Sequence, residues 1–526
     1  MEQNPSRRAF LIAATAGAGG LVLPGSADAS APPRSASWTT FTSTGCAAPD
    51  PFTLGIASGD PEADGVVLWT RLAPDPLASD GHGGMPGRDV EVGWQVATDE
   101  RFRQVVRTGT ATARPGSAHA VHVEVHGLGP GREYFYRFRA NGHLSPVGRT
   151  RTSPTTADSF TFAAVSCAQY EHGYYTAYRR MAEQDPDLVV HLGDYIYEYS
   201  AGVYTAANGN VRRHVGGKLQ TLADYRVRHA QYKTDPDLQF AHRNSPWLVI
   251  FDDHEVENNW AADNPGTLVP GFGTRKAAGF QAYYEHMPLR RSAVARGSRI
   301  KINRRVGWGS LATFHLLDTR QYRDHQPCDD GMRSGCDERL GQERVMLGDD
   351  QMEWLAEGLR SSSGTWNLIA QQIILGQRDY HLGPGRELNV DAWDGYPAER
   401  DRLLGTLAAS GDGNPIVLTG DAHVASASDL VADFDDPDAD RVGVELVSTS
   451  ISSDGDGYHD PARDAALLAE NPHMRFVNER RGYIMCRATP QELKADFRTL
   501  DYISRMGAPA RTAARFTIPA GERVLT

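Results

Sequence analysis

Between about Asp50 and Thr152, apolar and polar residues alternate in short runs: Gly65–Thr70, Val90–Val96 and Ala120–Val125. A period of two, broken by Gly, Pro and Asp turns, predicts half-buried strands. The stretch Leu128-Gly129-Pro130-Gly131-Arg132-Glu133-Tyr134 fits the tyrosine corner of a Greek-key sandwich, where a Tyr hydroxyl ties back to the upstream backbone. Residues 50–152 are therefore expected to form a small, fibronectin-like all-β sandwich, a structural companion to whatever follows. Arg151 to Asp158 is a polar, Pro-containing linker.

From Phe160 the pattern changes. Apolar runs of strand length alternate with amphipathic helical stretches, which predicts an α/β domain over residues 158–526. The strands are expected at Phe160–Val165, Leu188–Leu192, Trp247–Phe251, Leu311–Leu317, Leu368–Ile374, Ile416–Leu418 and Val444–Val447. Helices are expected at Tyr174–Gln184, Gln351–Leu359 and Ala398–Ala409. Residues 200–243 and 255–307 are polar or mixed insertions expected to pack over one end of the sheet. There is no internal repeat and no long low-complexity tract.

The first 29 residues read as an export signal. Ser6-Arg7-Arg8-Ala9-Phe10-Leu11 is a twin-arginine pattern, followed by a Gly/Ala-rich apolar stretch to Leu23 and the small-residue cleavage site Ala27-Asp28-Ala29. The apolar stretch is too short for a lasting membrane span. The expectation is a secreted, periplasmic or cell-wall protein, soluble, monomeric, with a flexible start over residues 30–49 and a transient partner in the twin-arginine translocase. That route carries folded proteins, which suits one that acquires a metal in the cytoplasm.

Composition adds exclusions. The chain is 40% hydrophobic and 23% charged, ordinary for a globular protein. Its net charge is −12, from 66 acidic against 54 basic residues, with no long basic run. A chain with that balance has no evident nucleic-acid-binding surface. Five cysteines are too few to carry the fold. Cys328 and Cys336 flank a short Asp/Gly/Ser-rich loop and are expected to pair in an oxidising compartment.

The chemistry is concentrated where strands end. Val165 runs into Ser166-Cys167, Leu192 into Gly193-Asp194-Tyr195-Ile196-Tyr197, and Phe251 into Asp252-Asp253-His254-Glu255. Leu317 runs into Asp318-Thr319-Arg320, and Leu418 into Thr419-Gly420-Asp421-Ala422-His423. Ligand sites of open α/β sheets lie outside the carboxyl ends of the strands. One acid there is a helix cap or turn former; five strands ending alike require cations among the carboxylates. Tyr and Cys anions beside a carboxylate and an imidazole favour a trivalent ion such as iron, and a carboxylate pocket favours calcium, magnesium or manganese. Two such ions a few Å apart suit phosphoryl displacement by metal-bound hydroxide. No Walker loop and no Gly-x-Ser-x-Gly elbow offers another route.

At these residues the chain resembles the PhoD-like family of alkaline phosphatases and phosphodiesterases, distant relatives of the purple acid phosphatases. The resemblance runs through Phe52–Pro61, His191–Tyr199, Asp252–Glu255, Asp318–Arg323, Trp393–Pro397 and Thr419–His423. It implies a calcineurin-like metallophosphatase core of β-sheets flanked by helices. It also implies Fe³⁺ with one or two Ca²⁺: Cys167, Tyr197 and His423 on iron, Asp194 bridging, Asp253 and Asp421 on calcium. His254, next to a ligand, would touch a phosphate oxygen or protonate the leaving group. Arg320 is a candidate phosphate binder or one half of a structural Asp–Arg pair. Asp252 is expected to support a ligand from behind or to be structural, because only one of two neighbours in an extended segment points toward the site. Gln371 and Gln372 stand where purple acid phosphatases carry a further His ligand, so that acid cannot be transferred.

The expected function is hydrolysis of phosphate mono- and diesters outside the cytoplasm, for phosphate scavenging. An alternative is a phospholipase D-type phosphodiesterase acting on phospholipid head groups. A remote one is a non-enzymatic calcium-binding surface protein, which leaves Tyr197 and His254 without a role.

Overall fold

The computed structural model describes residues 49–266, 271–411 and 414–526. The twin-arginine segment, its cleavage site and Cys46 lie outside the described residues. No helix among the described residues is long and apolar enough to cross a membrane.

Two large mixed sheets make the core. The first has nine strands, with Phe160–Val165, Leu188–Leu192, Pro246–Ile250 and Ile56–Gly59 parallel at its centre. The second has seven, with Ala312–Leu316, Trp366–Ala370, Pro415–Thr419 and Arg441–Val447 parallel at its centre. The central strands are buried over nearly all their length, as their continuous apolar runs require. Apolar side chains of both sheets, among them Phe162, Val190, Phe314, Leu368 and Leu446, share one hydrophobic cluster. The register aligns the carboxyl ends of neighbouring strands: Leu192 pairs with Ile250, and Thr419 with Val447. Loops leaving those ends emerge side by side, and the bridge Ser166–Ser450 ties the two sheets there.

The strands expected in residues 50–152 form, but they divide between sheets. Ile56–Gly59, Val66–Arg71 and Ala120–Val125 extend the nine-stranded sheet, the first pairing in parallel with Pro246–Ile250. Val90–Ala97, Val105–Ala113, Glu133–Ala140 and two short strands make a separate five-stranded sheet. The tyrosine corner is present, with the Gly129 N–H donating to Tyr134 Oη at 2.8 Å. The expected helices occur at Thr176–Ala182, Asp349–Ser361 and Pro397–Ala408.

The polar insertions also hold helices, at Leu222–Lys233, Pro236–Asn244 and Phe272–His286. Their helical period is hidden because Arg228, His229, Gln231 and Lys233 are buried beside the apolar positions. After Thr499, Ile503 and Ser504 bond the Asp456 carboxylate, and Ala510–Pro519 forms the sheet edge against Glu492–Leu500. Cys328 and Cys336 are disulfide-bonded, as expected.

His315, fully buried in its strand, shows what this core does to a titratable group. Burial outweighs the hydrogen bond to Asn367 and holds its imidazole down at about 4, against an ordinary 6.5. Below pH 6.5 the unfolded chain gains a proton that the folded chain refuses until pH 4. This contribution is therefore whole above 6.5 and lost as pH falls, by about 3 kcal/mol at pH 4. Urea unfolding between pH 7 and pH 4.5 should show a shallower loss of stability in His315→Gln than in wild type.

Candidate metal centre

The loops at the strand ends place their polar side chains in three overlapping groups. Cys167, Asp194 and His423 have ligand atoms within 4.8 Å of one another; so do Asp194, Asp253 and His254; so do Asp252, Asp253 and Asp421. Tyr197 belongs with the first group: its hydroxyl donates to Asp194 Oδ2 at 2.9 Å and lies 3.0 Å from His423 Nε2. Ser453 Oγ donates to the same Tyr oxygen at 2.7 Å. All six residues expected as ligands are thus brought together, with Asp194 between two unlike sets. One set is Cys, Tyr and His; the other is the carboxylates of Asp252, Asp253 and Asp421, with His254 beside Asp253.

Tight loop conformations produce this convergence. Cys167, Asp194, Asp421 and His423 have φ of 58°, 58°, 55° and 53°, left-handed values that cost a non-Gly residue about 1–3 kcal/mol each. The surrounding backbone holds them there: Cys167 N–H donates to Gly193 O at 3.1 Å, and Ala168 N–H to Asp194 O at 2.9 Å. Gly193 has φ of 110°, and a Cβ added to it would sit 2.5 Å from Asp252 Cβ. Only glycine lets the Asp194 and Asp252 loops touch. The Glu255 carboxylate joins the same loops, accepting N–H bonds from Tyr195 at 2.6 Å, Asp252 at 2.9 Å and Asp194 at 3.2 Å.

The electrostatics of the empty chain are unfavourable. Burial, and then the Asp194 charge, pushes the Cys167 thiol well above its ordinary range. Burial likewise raises the Tyr197 phenol, Asp194 and Asp421, with neighbouring acids adding to it. Burial holds Asp252 up at about 7 and Glu255 at about 8, despite Arg320 beside the former. Burial acts against a charged His254, yet Asp253, Asp194 and Glu198 outweigh it and raise the imidazole well above its usual value. Asp194 Oδ1 and Asp252 Oδ2 are buried carboxylate oxygens without a hydrogen-bond partner. Orphaned oxygens amid mutually repelling acids are what bound cations satisfy. The donor sets fit metal.

The surrounding contacts orient these side chains. Glu198 Oε2 lies 2.8 Å from His254 Nδ1 and fixes the ring, which packs on Tyr197 at 4.0 Å between centroids. Asp454 Oδ2 lies 2.6 Å from His423 Nδ1, leaving Nε2 to face Tyr197 and the cluster. This carboxylate–imidazole arrangement is the one metal-binding histidines use. Asp454→Asn should lower metal affinity and activity about 10–100-fold, read by metal titration and turnover. Neither Glu198 nor Asp454 was expected from the sequence.

Asp252 and Arg320 can be placed more closely. One carboxylate oxygen of Asp252 lies within 4.8 Å of ligand atoms of Asp253 and Asp421, and its Oδ1 accepts from Arg320. The chain bends after Ile250 and is no longer extended at this pair, so both acids reach the same place. Arg320 is fully buried and does not face an opening. Its Nε is 2.5 Å from Asp252 Oδ1, and its two Nη atoms make a fork on Asp391 at 2.9 Å each. The structural side of the Asp–Arg alternative therefore describes it, although its partners are Asp252 and Asp391. Gln371 and Gln372 also turn away: Gln371 Nε2 donates to Thr419 Oγ1, and Gln372 Nε2 to the Phe251 and Leu317 carbonyls. Trp393 reaches Gln371 Oε1 at 3.3 Å, so its block buttresses the strand ends from behind.

The family model for PhoD-like phosphatases matches residues 162–497, and that for the N-terminal domain of the same phosphatases matches residues 39–154. The chain belongs to the PhoD-like phosphatase family. It is 49% identical over 471 residues to alkaline phosphatase D of Bacillus subtilis (strain 168), covering 89% of this chain and 80% of that protein. A solved structure of PhoD superposes with a TM-score of 0.88 at 48% identity, covering 91% of this chain and 92% of that one. Membership in the PhoD-like family makes the chain a metal-dependent hydrolase of phosphoric ester bonds, and the cluster at the strand ends is the candidate place for that metal. The non-enzymatic reading falls with it.

Proposed function

We propose that this phosphoesterase is exported by the twin-arginine route and hydrolyses phosphate mono- and diesters in phosphate scavenging. In this reading Cys167, Tyr197 and His423 would hold Fe³⁺, Asp253 and Asp421 would hold Ca²⁺ with Asp252 beside them, and Asp194 would serve both. The observation that carries it is the membership of Asp194 in two donor groups of different chemistry. Thiolate, phenolate and imidazole suit iron; carboxylate oxygen suits calcium. When bound, the metals supply Lewis acidity and an activated water for displacement at phosphorus.

The chain supplies the rest. Glu198 holds His254 with Nδ1 occupied, so Nε2 is the atom left to donate a proton to a phosphoryl or leaving-group oxygen. The Glu198 carboxylate at Nδ1 favours the protonated ring. Arg320 positions Asp252 and does not contact substrate. The test is a side-by-side assay of p-nitrophenyl phosphate, its bis ester and phosphatidylcholine on the metal-loaded enzyme. Turnover of the first two in preference to the lipid is expected. A clear preference for phosphatidylcholine would replace this reading with the phospholipase D-type alternative.

A further inference from the structure

The chain carries net charge −12, yet residues 290–305, Arg-Arg-Ser-Ala-Val-Ala-Arg-Gly-Ser-Arg-Ile-Lys-Ile-Asn-Arg-Arg, contain seven cations and no acid. Part of this segment lines a cleft of about 420 Å³ whose cations are Lys276, Arg296, Arg299 and Lys301. Arg296, Arg299 and Lys301 are exposed, and none forms an ion pair among the described residues. Lys276 is buried, with Nζ 2.6 Å from Asp263 Oδ1, so the single acid of the lining is already engaged. Tyr322, an aromatic ring 45% exposed, forms part of the wall.

Scattered cations on an acidic protein keep it soluble; a concave group of four with a single acid among them raises the local concentration of anions instead. Guanidinium forks match phosphate oxygens two at a time. The cleft also borders the site through one loop. Gln321 lines it, with Nε2 bonded to the Ile300 carbonyl at 2.7 Å, while the preceding residue, Arg320, grips Asp252 of the metal cluster.

We propose that this cleft binds a second phosphate group of substrates that carry more than one, away from the ester being cleaved. The inference rests on phosphoester hydrolysis, not on the identity of the metals. Anionic membrane surfaces are a poorer match, because the cations line a concavity and a bilayer presents a plane.

The test compares pairs of p-nitrophenyl phosphodiesters on metal-loaded enzyme. The second alcohol is a flexible diol whose far end carries either a hydroxyl or a phosphate, in a series of increasing linker length. Wild type should favour the phosphate-ended diester in kcat/KM by about tenfold or more once the linker spans the distance, and salt should erode the preference. The Arg299→Glu/Lys301→Glu variant should lose the preference while still cleaving the hydroxyl-ended partner, which also reports that it is folded. Failure of both enzymes on every diester would contradict the proposed diester activity alone; monoester pairs of the same design, run alongside, then decide the cleft by the same preference and its loss in the variant. No preference at any linker length, or a preference kept in the variant, would overturn the cleft assignment. So would free inorganic phosphate altering turnover of the hydroxyl-ended diester differently in the two enzymes with no preference for the tethered group. Loss of binding to phosphatidylglycerol vesicles alone, with no substrate preference, would overturn it in favour of a membrane surface.

Discussion

Asp194→Asn should leave a folded protein with more than about a hundredfold less activity and with both kinds of metal lost together. Asp194 is the one side chain in both the Cys167–His423 group and the Asp253–His254 group. The amide keeps the volume and can still accept the Tyr197 hydroxyl, which bonds Asp194 Oδ2 at 2.9 Å. It removes one anion from a pocket where burial and the charges of Asp253, Asp252 and Glu255 already disfavour it. The metal-free variant should therefore melt no lower than metal-free wild type, and its Tm should stop rising on addition of metal. Loss at only one of the two ion types, read by elemental analysis, would show that Asp194 does not bridge. Full activity with full metal content would exclude it from the centre altogether.

Arg320→Met should be the most destabilising single change near the site, by about 3–5 kcal/mol. The guanidinium is fully buried and faces two buried acids, Asp252 on Nε and Asp391 on both Nη atoms. Methionine fills the space and leaves both carboxylates uncompensated, which is where the cost arises. Arg323, 3.2 Å from Asp391 Oδ1, offsets part of it for that acid but does not reach Asp252. Arg320→Lys should fall between, keeping the charge and losing the fork. Urea unfolding of the three proteins gives the ranking. A Met variant as stable as wild type, with reduced turnover alone, would return Arg320 to the role of a substrate ligand.

The strand ends were the legible part of this protein. A buried strand needs a continuous apolar run, so its end is marked by the first polar residue, and Cys167, Asp194, Asp253 and Asp421 each sit just beyond one. Tyr197 and His423 stand in the same strand-end segments, and their roles came from the family resemblance. What stayed hidden has physical reasons. Asp252 depended on whether the chain bends after Ile250, which a dipeptide of like acids does not encode. Asp454 reaches His423 across 31 residues from a loop on a different strand, and nothing local marks it. Glu198 lay in plain view beside Tyr197, and its signal was the His254 that any buried imidazole cation obliges to find an acid. Among the strands of residues 50–152, alternation predicted existence and not partners: the same pattern serves Val66–Arg71 in the large sheet and Val90–Ala97 in the small one.

The central claim is that Tyr197 and Asp194 join an iron side to a carboxylate side. Its most direct test is the visible absorption of concentrated, metal-loaded protein, wild type against Tyr197→Phe, with iron and calcium measured on the same samples. The account predicts a phenolate-to-iron absorption band in wild type, iron and calcium both bound, and loss of the band in the variant. A colourless, iron-free wild-type preparation with full phosphoesterase activity would contradict it.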